Sequence, residues 1–286
     1  VLEAGLRLNR TEESRAVATL DFASGARQAG RDAHVDTRLT GSLGGNWTFW
    51  QQGSDRLAWF GNYRNSFKPS AVDFGLDSEA GILKPETARS WDLGLKGSLL
   101  DGALALELSG FRMDFENLVL SQAVAGLPVL INAGQERFQG LEASAVLALA
   151  PALTGRLSYS YHDARFRDFV TDFDGVATQL AGRRLEMSPY HLGALGLSYA
   201  PSAGLTASGE LGYTGDRFMD KRNRALTGGY TTLGATLGWR SRNWDVLIKG
   251  SNLTDQRQPV AESELGDAQY YLLPGRRLVA SLHLRF

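Results

Sequence analysis

The sequence predicts an all-β chain: the wall of an antiparallel, up-and-down β-barrel that crosses a membrane. Three observations carry this. Alternation of apolar and polar residues runs through almost every segment, ending in a strand with Leu278, Ala280, Leu282, Leu284 and Phe286 on one face and Arg277, Val279, Ser281, His283 and Arg285 on the other. A period of two with one oily and one wet face is a strand between lipid and water. The connections alternate between short and long, as they do where strands shuttle across a bilayer. No run of about 18 apolar residues exists, so no helix is available to make the crossing.

In chain order, alternation places strands near 2–9, 14–23, 40–50, 55–64, 90–99 and 103–115. Further strands fall near 136–149, 154–166, 186–200, 204–217, 229–240, 243–252 and 275–286. That is about thirteen, most long enough to cross when tilted. Short turns are expected at 10–13, 51–54, 100–102, 150–153, 201–203 and 241–242. Long loops are expected at 24–39, 65–89, 116–135, 167–185, 218–228 and 253–274. Short turns mark one rim and long loops the other, which orients the final strand toward the short-turn rim. Trp47, Phe49, Trp50, Tyr199, Trp239, Trp244 and Phe286 lie beside the short turns. Phe60, Tyr63, Phe111, Phe115, Tyr161, Phe166, Tyr190, Tyr213 and Tyr230 lie toward the loops. Two aromatic belts at the headgroup levels are the expectation.

Composition removes several classes of function. The 30 Lys and Arg nearly balance 31 Asp and Glu, so no global field draws the chain to nucleic acid. Cysteine is absent, which excludes disulfides and thiolate chemistry. His34, His162, His191 and His283 lie in separate segments without ligand spacing. Asp168, Asp172 and Asp174-Gly175 form an incomplete calcium ladder and read as a polar turn. No Gly-x-Ser-x-Gly or phosphate-binding glycine loop is present. Neither an enzyme nor a cofactor is expected. The chain opens inside an alternating segment without an initiator Met or a signal-like stretch. That predicts a piece beginning within a strand, with an N-terminal domain outside it.

More specific motifs follow in order. Asn62-Tyr63-Arg64-Asn65-Ser66-Phe67-Lys68-Pro69 precedes Leu83-Lys84-Pro85-Glu86 and Trp91-Asp92-Leu93-Gly94-Leu95-Lys96. Asn132-Ala133-Gly134, Gly140-Leu141-Glu142, Asn252-Leu253-Thr254-Asp255 and Pro274-Gly275-Arg276 come later. Plain structural roles suit most of these. Gly140 would allow close approach of a neighbouring strand, Pro69 and Pro85 would bracket a loop, and Asn252 and Asp255 would bond nearby backbone. Their order and spacing, ending on Phe286, resemble the C-terminal barrel of TonB-dependent outer-membrane receptors, best from about 59 to 286.

The resemblance implies a bacterial outer-membrane location and a single barrel domain over 1–286, about the last thirteen strands of a barrel of about 22. The N-terminal plug and first strands, and with them the contact to the TonB complex, would lie outside this chain. Two unsatisfied sheet edges would follow. Leu278, Ala280, Leu282, Leu284 and Phe286 would be the signal read by the barrel assembly machinery. Outer-membrane lipid and lipopolysaccharide would surround the wall. The implied activity is uptake of a scarce nutrient, foremost a small-molecule iron chelate (a ferric siderophore), bound by the loops and released by plug displacement. Cobalamin, haem or an oligosaccharide are alternative cargoes, a passive porin-like barrel is a second class, and a secreted β-sandwich a third. By the loop rhythm, Arg183 and Arg184 adjoin Arg217, Lys221, Arg222 and Arg224. They would form a basic mouth suited to an anionic chelate, with Tyr230, Tyr270 and Tyr271 adding aromatic contact.

Overall fold

A computed structural model describes residues 1–70, 82–124, 127–132, 134–173, 175–262 and 269–285. Phe286, Asp174, Ala133 and most of the loop between Pro69 and Pro85 lie outside them. The first strands are β1 (Leu2–Leu20), β2 (Arg27–Gln52), β3 (Asp55–Lys68), β4 (Glu86–Leu99) and β5 (Leu104–Glu116). Next come β6 (Val119–Val124), β7 (Leu127–Asn132), β8 (Gln135–Ala150), β9 (Leu153–Asp168), β10 (Val170–Phe173) and β11 (Val176–Gln179). Then follow β12 (His191–Tyr199), β13 (Gly204–Thr214), β14 (Arg217–Phe218), β15 (Leu226–Thr227) and β16 (Tyr230–Arg240). The last are β17 (Trp244–Ser251), β18 (Pro259–Glu262), β19 (Tyr270–Leu272) and β20 (Arg277–Leu284).

Twelve strands form one antiparallel sheet in the order β1-β2-β3-β4-β5-β8-β9-β12-β13-β16-β17-β20, with β1 and β20 at its edges. The expected thirteen become twelve because no turn forms at 10–13. β1 runs straight through it, and the expected loop 24–39 is mostly strand as well. The tetrapeptide is polar but contains no Gly or Pro, and a strand standing clear of the lipid can be polar on both faces. The actual turn follows Leu20. Asp21 Oδ1 accepts the amides of Ala23 (2.8 Å) and Ser24 (3.1 Å), and Gly25 supplies the left-handed residue at φ +70°. Only β1 pairs with β2 beyond about Gly41, where β3 takes up pairing. A two-stranded ribbon of roughly 36 Å therefore projects past the neighbouring strands, at about 3.3 Å per residue. His34 sits in this ribbon opposite Glu13.

Register separates the two faces. Glu107, Ser144, Ser158, Ala194, Gly212 and Thr232 form one cross-strand row and all line a cavity of about 500 Å³. This is the inner, polar wall. The opposite face carries the row Leu157, Leu195, Leu211 and Leu233. Leu157, Leu195 and Leu211 are open in the isolated chain, as lipid-facing side chains must be, and Leu233 is half-buried. The lower belt includes Trp47, Phe49 and Trp59, with Phe49 bulged out of the ladder and stacked on Trp59 at 5.8 Å. The upper belt holds Tyr63 against Trp91 (4.3 Å) and Tyr161 against Tyr190 (5.7 Å). Five expected members leave it. Phe60, Phe111, Phe115 and Tyr230 share the parity of the inner wall, and Phe166 is buried among the loops.

The outer loops are structured. Hairpins β6-β7, β10-β11, β14-β15 and β18-β19 rise from four of them. Phe166, Phe169 and Leu180 form a buried core there, with Leu120, Ile131, Phe173 and Leu185 packed around it. A membrane wall has little interior of its own, so the apolar burial concentrates in this crown.

Candidate functional site in the loop crown and inner wall

Side-chain-to-backbone bonds fasten neighbouring loops in series. Asn132 receives the Lys84 amide at 2.8 Å, and its Nδ2 donates to the Lys84 and Asn117 carbonyls. Glu86 accepts the Val119 amide at 2.6 Å while pairing with Lys68 at 2.8 Å. Asn252 Nδ2 donates to the Gln256 and Pro274 carbonyls, and Asp255 accepts the Arg276 amide, so both close the last loop. Asp172 Oδ1 accepts the Gly175 amide at 2.7 Å, closing a polar turn.

The predicted basic residues do gather in this crown, in two different states. Arg184 is buried, stacked over the Tyr190 ring at 3.5 Å, and donates to the Ser188 and Asp216 carbonyls. Arg217 is buried too, donating to the Gly215 and Pro259 carbonyls with its guanidinium near the Tyr230 ring. Lys221 pairs with Glu186 at 3.7 Å. These three brace one loop against the next. Arg222 lies over the Phe173 ring at 4.3 Å, and Arg224 stays exposed beside Asp220. Arg183 is exposed as well. Tyr270 donates to the Met219 carbonyl at 3.4 Å, whereas Tyr271 is open to solvent. Leu278, Ala280, Leu282 and Leu284 share the outer face of β20, by register with Ile248, Val246 and Trp244.

Beneath the crown the inner wall holds a cavity of about 570 Å³ that sequence reasoning missed. Phe111, Phe115 and Phe138 line it together with Asp92, Glu142 and His162. Phe115 and Phe138 meet edge-to-face at 5.5 Å, and the Phe111 ring meets His162 at 5.2 Å. His162 Nε2 lies 3.2 Å from Glu142 Oε1. Apolar surface with a few convergent polar groups is the usual make-up of a small-molecule site. Parity could have found it, because Phe111 and Phe115 share alternation with the polar Glu107 and Ser109. Gly140 permits the arrangement: a Cβ there would strike the Tyr161 carbonyl oxygen and crowd the Phe111 ring.

Glu136 is the outlier of the crown. It sits at the loop end of β8, above the upper aromatic belt, and is fully buried with neither carboxylate oxygen hydrogen-bonded. Burial, then the charges of Glu86 and Glu186, push its pKa up to about 7.

Residues 1–253 match the family model of the TonB-dependent receptor-like β-barrel. The chain belongs to the TonB-dependent receptor family. These receptors are outer-membrane β-barrels that transport and are not enzymes. The metal-pseudopaline receptor CntO of Pseudomonas aeruginosa is 28% identical over 82% of this chain and 32% of its own length. The ferrichrome outer membrane transporter/phage receptor of Escherichia coli is 24% identical over 78% of this chain and 28% of its own. The ferric yersiniabactin uptake receptor FyuA of Yersinia pestis shares the fold. Its TM-score is 0.79 at 16% identity, covering 100% of this chain and 43% of that one. This TonB-dependent receptor chain thus spans about a third of the curated relatives' length.

Proposed function

We propose that this chain supplies the loop crown and inner wall of a receptor that captures an anionic metal chelate, foremost a ferric siderophore. The observation that carries the reading is the aromatic cavity of Phe111, Phe115 and Phe138 at the loop end of the inner wall, the end that also carries the exposed Arg183 and Arg224 and the half-buried Arg222. Arg183, Arg222 and Arg224 attract the anion, Tyr230 and Tyr271 add aromatic surface, and the cavity receives the ligand's apolar rings. Arg184, Arg217, Lys221 and Tyr270 act indirectly, by holding the loops that present the others. The names of relatives, metal-pseudopaline receptor and ferrichrome transporter among them, support a metal-chelate cargo. In the complete protein, a plug energised through TonB would be displaced to let the cargo pass.

The test uses the full-length receptor. Its affinity for anionic ferric siderophores is measured against cobalamin and haem, in the parent and in R222A/R224A. A preference for the ferric chelates that weakens about tenfold in the variant is expected, the loss of one charge-assisted contact. Equal affinity in both proteins would remove the cations from the site, and preference for cobalamin or haem would replace the cargo.

A further inference from the structure

Glu136 is a charged group that the cargo site does not use. It stands at the loop end of β8 on the inner-wall parity, paired by register with Phe115 of β5 on one side and Phe166 of β9 on the other. It is fully buried and both carboxylate oxygens lack a hydrogen bond. An ionised carboxylate is strongly disfavoured in such a place.

Two further carboxylates act on it from other loops. Glu86 enters at the start of β4, and Glu186 lies in the loop before β12; after burial itself, their negative charges are what opposes ionisation of Glu136. Both are already engaged. Glu86 accepts the Val119 amide at 2.6 Å and pairs with Lys68 at 2.8 Å, while Glu186 pairs with Lys221 at 3.7 Å. Arg184, in the same loop as Glu186, donates to the Ser188 and Asp216 carbonyls. Arg137 and Arg165 lie on the other face, held by Asp114 and Asp163. Among the described residues no three acidic or histidine side chains converge closely enough to hold a metal ion. The species that neutralises Glu136 with no further partner is a proton.

We propose that Glu136 is a proton-operated latch of the loop crown. Protonated, it packs as a neutral side chain beneath the segments that carry Glu86 and Glu186. Ionised, it repels both and loosens the Glu86–Val119 and Glu186–Lys221 joints that fasten those segments. The sign is definite. In the closed crown the carboxyl keeps its proton up to about 7, against an ordinary 4.5, so closing takes up a proton between those limits. Tightness of the crown is therefore greatest on the acid side, declines as pH rises through that window and levels off above it.

The test is hydrogen-exchange mass spectrometry of the full-length receptor without cargo, with each rate divided by the intrinsic chemical rate at the same pH. Retained heat-modifiable gel migration establishes that each variant is folded. In the parent, protection of 84–88, 117–120 and 184–190 is expected to fall at least about tenfold between about pH 5 and pH 8, while β16 and β17 do not change. E136Q is expected to keep the acid level of protection throughout. E186Q removes one repelling charge but leaves Glu136 in place, so the decline should level off at lower pH and be smaller. That shift is one a merely structural role for Glu186 would not produce, and it carries the comparison if E136Q does not fold. Protection in the parent that ignores pH, a decline that persists in E136Q, or an E186Q profile that levels off at the same or higher pH than the parent overturns the latch.

Discussion

Arg184 and Asn223 hold each other by their own backbone and side chain. The Arg184 amide donates to Asn223 Oδ1 at 2.7 Å, and Asn223 Nδ2 donates back to the Arg184 carbonyl at 2.8 Å. Asn223 mimics a strand partner while its own backbone sits at φ +56°, a conformation asparagine tolerates better than most residues. This pair joins the loop after β9 to the loop after β13. N223A should raise amide exchange in 182–190 and 217–225 about tenfold, as loss of about 1–2 kcal/mol of local stability implies. Exchange in β16 and β17 should not change. Hydrogen-exchange mass spectrometry of the full-length receptor checks both halves.

Gly140 and Gly209 make a matched pair. A methyl at Gly140 has to displace the Tyr161 carbonyl, whereas one at Gly209 meets nothing within 4 Å. G140A should destabilise the barrel by about 1–3 kcal/mol. G209A should be neutral or mildly stabilising through the unfolded chain. Urea unfolding followed by tryptophan fluorescence separates the two.

Glu136 makes the crown sensitive to pH, with a definite sign. Its folded pKa of about 7 lies above the ordinary value of 4.5, so between those limits the folded state binds more protons than the unfolded one. Stability falls as pH rises through that window and levels off above it. E136Q should abolish this decline and exceed the parent in thermal stability at pH 8, while differing less at pH 4.5. A parallel pH profile for parent and variant would count against the buried carboxylate as its source.

The basic residues should separate by burial. R184A and R217A remove buried guanidiniums that satisfy loop carbonyls, and each should cost about 2–4 kcal/mol with cargo affinity falling only as the crown loosens. R224A, at an exposed side chain, should leave the melting temperature within about 1 °C and change affinity in a salt-dependent way. Paired melting and binding curves decide between brace and contact.

The wall was readable because a period of two is a local property. Leu278, Leu282 and Leu284 announce their face without any neighbour, and so do Leu195 and Leu197. The segment at 10–13 was not readable, because polarity signals a turn only where the alternative is a strand in lipid, and there the strand has left the lipid. Depth was the hidden variable. The same limit moved Phe111 and Phe115 from the belt to the inner wall: proximity to a loop says nothing of face until parity is carried across the register. For Arg184 and Arg217, sequence indicated the loop but not the burial, which depends on the carbonyls of Asp216 and Pro259 contributed by other segments.

The serial fastening of the loops alters the entropy of capture. Arg184 ties one loop to the next, Arg217 reaches the loop after β17 through the Pro259 carbonyl, and Asn132 does the same for the residues entering β4. Loops already ordered by one another do not have to be ordered by a ligand, so a cargo meets a mouth whose conformational cost was met during folding. The same bonding makes independent movement of any single loop costly, and opening or closing of this rim would be a collective event.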